Sequence, residues 1–123
     1  MARARPALPE ALARARAVLA EHKAEDIALL DLRGVASVTD FFLIASGRSD
    51  VHVGALADRV LEELERVGRR AYGVEGLRGG RWVVLDYVDF VVHIFHPQAR
   101  AFYQLEALWA DAPELPAEPT TDE

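Results

Sequence analysis

The sequence contains no cysteine. Disulfides, thiolate metal sites and cysteine nucleophiles are therefore excluded, and a reducing, cytosolic setting is favoured. No apolar run approaches the ~20 residues that cross a bilayer. Lysine is nearly missing as well: Lys23 is the single one among 14 basic residues. The few serines have no placed base beside them, so no Ser/His/Asp triad can be drawn. Basic charge is also in deficit, with 14 Lys and Arg against 20 Asp and Glu, a net charge of −6. Domains that hold nucleic acid through its phosphates are usually basic. Direct nucleic-acid binding is therefore not expected, and a basic protein surface or a small molecule fits better as partner.

What is present suits one globular domain. The 123 residues are 51% hydrophobic and 28% charged, enough for one core and a charged surface. There is no internal repeat. The Arg- and Ala-rich start, MARARPALPEALARARAVLA, resembles an organelle transit peptide in composition. It lacks serine, however, and Ala11, Leu12, Ala15, Val18, Leu19 and His22 recur at helical spacing, so it reads as a first helix after Pro9. DIALLDL (26–32) and FFLIA (41–45) read as short buried strands. Ser49 or Asp50 caps a helix running to about Val67, with Val53, Leu56, Ala57, Val60, Leu61, Leu64 and Val67 on one face and Gly68 as its stop. Strands are expected over 70–74, 81–86 and 89–95, and a last helix from Pro97 to about Ala110. The expected fold is an α/β sandwich over 1–110, a mixed five-stranded sheet flanked by helices in the order α-β-β-α-β-β-β-α. Residues 111–123, acidic and proline-rich, read as a disordered tail.

Three stretches invite a chemical reading. WVVLDYVDFVVHIF (82–95) sets Asp86, Asp89 and His93 in an apolar run. Both aspartates sit at strand ends beside a turn, while His93 is four residues further on, roughly 13 Å away. One metal ion cannot collect all three without a bend. Turn aspartates have a simpler use, accepting nearby backbone N–H groups, so the hairpin reading is preferred and His93 reads as a hydrogen-bonded sheet residue. Ser46-Gly47-Arg48-Ser49, between a strand and a helix, resembles the phosphate-holding turn of nucleotidyltransferases. That chemistry also needs paired carboxylates for a divalent metal, and the next strand has none; a capped helix start suffices. Gly76, Gly79 and Gly80 precede a strand rather than a helix, so they form a flexible turn and not a phosphate loop. Arg69-Arg70 is too short for a nucleic-acid patch. Trp109 reads as core. Trp82, at a strand start after a glycine loop, is open to core or interface, and a buried interface tryptophan is worth ~2–4 kcal/mol.

Several words occur in order: DIALLD (26–31), TDFFLIASG (39–47), SDVH (49–52), VEG (74–76), WVVLDY (82–87), VHIF (92–95) and YQLEALW (103–109). Together they resemble the ribosomal silencing factor family, also called Iojap-like, from about Leu19 to Trp109. The resemblance implies a non-enzymatic, cofactor-free, cytoplasmic repressor of translation. Such a protein binds the large ribosomal subunit through ribosomal protein L-fourteen and sterically blocks subunit joining. It implies a fold similar to nucleotidyltransferases without their metal-binding carboxylates, and homodimers off the ribosome. Carried over as partner-binding residues are Trp82, Asp86, Asp89, His93, Tyr103 and Glu106. The family usually has D-Y-G-D at the hairpin. Here Val88 replaces the glycine, and because a β-branched residue resists positive φ, the turn is expected to differ locally. The competing readings are a nucleotidyltransferase-like enzyme centred on Ser46 to Ser49 and a dimeric scaffold using the same sheet surface.

Overall fold

A computed structural model describes residues 8–35, 38–103 and 112–115, without the side chains of 101–103. The elements are α1 (Glu10–Glu21), β1 (Glu25–Asp31), β2 (Phe41–Ser46), α2 (Asp50–Arg66), β3 (Gly73–Glu75), β4 (Trp82–Asp86), β5 (Phe90–Phe95), α3 (Pro97–Tyr103) and β6 (Glu114–Leu115).

The helices form where the apolar spacing puts them. α1 buries Ala11, Leu12, Ala15, Val18 and Leu19. In α2, Ser49 accepts the N–H of His52 at 3.1 Å, satisfying a first-turn donor. Val53, Leu56, Ala57, Val60 and Leu64 form its buried stripe. Gly68 then takes φ +84°, and the Gly68 and Arg69 N–H groups return to the carbonyls of Glu65 and Leu64, the glycine stop of a helix C-terminus.

The sheet order is β3-β4-β5-β2-β1-β6. β2 and β5 run parallel, and the other neighbours are antiparallel. The architecture is the expected mixed sheet flanked by helices, but the strand count is six, not five. The additional strand comes from the stretch read as tail: Glu114 and Leu115 pair with β1, the Asp31 N–H reaches the Pro113 carbonyl at 2.9 Å, and Ala112 is buried. β3 also begins later than expected, at Gly73 rather than Arg70, with the Tyr72 N–H already donating to the Asp86 carbonyl at 2.7 Å.

Strand alternation divides the apolar residues into two cores. One lies between the sheet and the α1–α2 pair, with Leu29, Phe41, Leu43, Val83, Leu85, Phe90, Val92 and Ile94. The second lies on the opposite face, with Leu30, Phe42, Ile44, Phe95 and Ala99 of α3, and with Trp82 and Val91 packed at its margin. β2 is buried along its whole length, so FFLIAS shows no alternation in sequence; it faces both cores.

Candidate functional site

The opposite face carries the residues of interest. Register pairs Trp82 with Phe95, Val84 with His93 and Asp86 with Val91, so Trp82, Asp86 and His93 share one surface. Trp82 is half-buried. Its indole stacks on Phe95 with centroids 5.0 Å apart and planes 25° apart. Its Nε1–H donates to His93 Nδ1 at 3.0 Å. His93 is 6% exposed, and its ring meets Phe42 edge-to-face at 4.6 Å. Burial pushes its pKa down from 6.5 to about 4. The imidazole is therefore neutral near pH 7, with the acceptor nitrogen toward Trp82 and the proton on Nε2. That Nε2–H has no hydrogen-bond partner among the described residues.

Trp82 is also held from its backbone. Gly76 turns at φ +83°, and a Cβ there would collide with the Trp82 carbonyl oxygen. Gly80 donates to the Gly76 carbonyl at 3.2 Å, so the glycine loop closes on itself just before Trp82.

The aspartates serve the hairpin. Asp86 Oδ1 accepts the Val88 N–H at 2.8 Å. Asp89 Oδ1 accepts from Arg69 at 2.7 Å, and the same guanidinium donates to the Tyr87 carbonyl at 3.0 Å and lies over the Phe90 ring at 5.5 Å. Among the described residues no group of three or more His, Asp or Glu is placed to hold a metal ion. The valine does not keep the turn out of the left-handed region. Val88 takes φ +77°, the conformation a glycine would adopt. It is held there by the Asp86 bond, by Thr39 Oγ1 donating to the Val88 carbonyl at 2.9 Å, and by the Asp89 N–H donating to the Tyr87 carbonyl at 2.9 Å. Beneath it Tyr87 is 1% exposed, and burial raises its phenol to about 12.

At the other end of the sheet, the Ser46 to His52 turn is committed to internal bonds. Gly47 N–H donates to the Phe95 carbonyl, Arg48 N–H to His52 Nδ1 at 2.9 Å, and His52 Nε2 to the His22 carbonyl at 2.9 Å. Ser46 Oγ accepts from Arg100 at 3.0 Å. A Cβ on Gly47 would lie 2.8 Å from Val53 Cγ2, so glycine is needed for close packing. The Gly47, Arg48 and His52 N–H groups are thus taken within the protein, and the turn joins α2 to the end of α1.

Of the carried-over residues, Trp82, Asp86 and His93 lie together on this face, and Asp89 sits beside the hairpin turn. Tyr103 ends α3, its side chain outside the described residues. Glu106 and Trp109 also lie outside them. Phe42, Phe95 and Arg69 were missed. Phe42 and Phe95 were visible only as strand residues, because the bed they make for Trp82 depends on three-strand register.

The fold and face define a mixed α/β domain with a half-buried tryptophan on an aromatic bed. The family model of the ribosomal silencing factor during starvation matches residues 5–123. A ribosomal silencing factor of Bacillus subtilis is 42% identical over 99 residues, 80% of this chain and 84% of that one. A Chromobacterium violaceum crystal structure superposes with a TM-score of 0.80 at 34% identity, covering 92% of this chain and 94% of that one. A Bacillus halodurans crystal structure gives 0.76 at 34% identity, covering 88% and 99%. The chain belongs to the ribosomal silencing factor family.

Proposed function

We propose that this protein binds the large ribosomal subunit through ribosomal protein L-fourteen and, by occupying the surface the small subunit needs, prevents joining and represses translation. It acts by bulk and needs no catalysis or cofactor. The observation that carries the reading is family membership over nearly the whole chain combined with the half-buried Trp82 on its aromatic bed. The net charge of −6 supports a basic ribosomal protein, rather than bare ribosomal RNA, as the first contact. Trp82 and Tyr103 serve as anchors, and Asp86, Asp89 and Glu106 face Lys or Arg of the partner. Asp89 already shares its charge with Arg69, so Asp86 is the stronger candidate of the hairpin pair. An interface of about 1,000 Å² in total suffices for specificity. The cytoplasm is the compartment where this action takes place, and a homodimer off the ribosome would hide the same face.

Sedimentation of the purified protein with isolated ribosomal subunits tests the reading. The expected outcome is co-migration with large subunits and fewer joined ribosomes when small subunits are added. Protein that stays at the top of the gradient removes the proposal.

A further inference from the structure

A tryptophan has one polar atom, the indole N–H, and it normally looks for an acceptor when buried. At an interface that acceptor is either in the partner or already in the protein. Here it is in the protein, on a side chain that is itself enclosed. His93 is 6% exposed and too deep in the sheet to meet a partner. Its Nδ1 lies 3.0 Å from Trp82 Nε1. The stack on Phe95 at 5.0 Å restrains the same indole through its ring plane. A hydrogen bond at one edge and a stacked ring at one face together leave the side chain little rotational freedom.

The neutral state of the imidazole makes this stable. A protonated imidazole has no acceptor, and would direct N–H against N–H. Burial keeps His93 neutral until the pH falls to about 4, so the bond persists throughout the range in which cells live.

We infer that His93 is a positioning residue, which takes up the only donor of the Trp82 side chain so that the indole meets its partner as a fixed apolar plate. The inference rests on Trp82 being an anchor, as proposed above, and it names the chemistry of the complementary surface. That surface is an apolar patch of the ribosomal protein, made of aliphatic or ring carbon, with no acceptor reserved for the indole. Holding the plate in place before binding removes an ordering cost worth up to roughly tenfold in affinity.

The test uses the full chain labelled with ¹⁵N, and large ribosomal subunits as the binding probe. There are two tryptophans, so Trp82→Phe identifies the Trp82 indole signal by deleting it. In the native protein that signal exchanges slowly with solvent. His93→Leu is expected to speed the exchange and weaken subunit binding by about tenfold. His93→Asn places an amide oxygen near the site of Nδ1, and restores both. Trp82→Phe keeps the plate without the donor, and binds within about threefold of the native protein, whereas Trp82→Ala loses about thirtyfold or more.

His93→Leu with native affinity overturns the positioning role alone. Trp82→Phe as weak as Trp82→Ala shows that the indole donor goes to the partner, and also overturns it; this arm leaves His93 untouched and decides the matter even if His93→Leu does not fold. A native protein that fails to bind large subunits overturns the functional reading instead, and the anchor role with it.

Discussion

The two faces of the sheet are built from the same strands and solve different problems. The face under α1 and α2 is mostly aliphatic: Leu43, Val60, Leu64, Leu85, Val92 and Ile94 are fully buried there. Its one enclosed polar group on β4's extension, the Tyr87 hydroxyl, has no partner among the described residues. The opposite face is aromatic, with Trp82, His93, Phe95 and Phe42 in contact across β4, β5 and β2. Aliphatic packing yields stability from buried area alone. Rings and a bonded imidazole add orientation, which serves recognition on the function proposed above. Strand alternation lets one sequence carry both.

The largest effect that would sharpen this contrast is expected from Leu85→Ala, on the aliphatic face. Leu85 is fully buried, so the loss in urea unfolding is roughly 3 kcal/mol. Subunit binding by the molecules that remain folded is unchanged. Lost binding with native stability would break the division between the faces.

Acid is the next probe, and it acts on the aromatic face. His93 has its folded pKa lowered to about 4 from 6.5. Between those values the unfolded chain binds the extra proton, so stability is fully present above pH 6.5 and declines as the pH falls toward 4. The full loss is on the order of 3 kcal/mol. Unfolding midpoints measured from pH 7 to 4 show this decline in the native protein, and His93→Asn removes it. A slope unchanged by His93→Asn would mean the acid sensitivity comes from elsewhere.

The smallest effect lies at the hairpin that joins the two faces. Val88→Gly relieves a positive φ of 77° at a cost in unfolded-state entropy. The net gain is about 1 kcal/mol, seen as a rise of about 4 °C in Tm. A lower Tm would show that the Asp86 and Thr39 bonds leave no strain to relieve.

Much of this was legible in the sequence. Helical spacing located α1 and α2, and the hydrophobic runs located β2, β4 and β5, because burial imposes a period that residues display directly. β6 was not legible. Two residues in a proline-rich acidic stretch have no period, and Pro113 contributes only a carbonyl, which no sequence pattern announces. The start of β3 was misplaced, since Arg70 to Tyr72 are extended-looking residues that follow a helix stop. At the site, alternation identified the face of Trp82, Asp86 and His93. The Trp82–His93 bond was not visible, because it depends on cross-strand register rather than on order along the chain. Arg69, dismissed as half of a short basic pair, turned out to hold Asp89 and the Tyr87 carbonyl.

The ends of the sheet bear on the company the protein keeps. A sheet margin is a template on which any extended chain can lay down hydrogen bonds, and natural proteins shorten or charge such margins. Here β6 covers β1 with two residues, and β3 closes the other side with three. Glu114 and Glu75 place a negative charge on each. Among the described residues, margins this short and this acidic give an extended segment of a second copy almost nothing to grip.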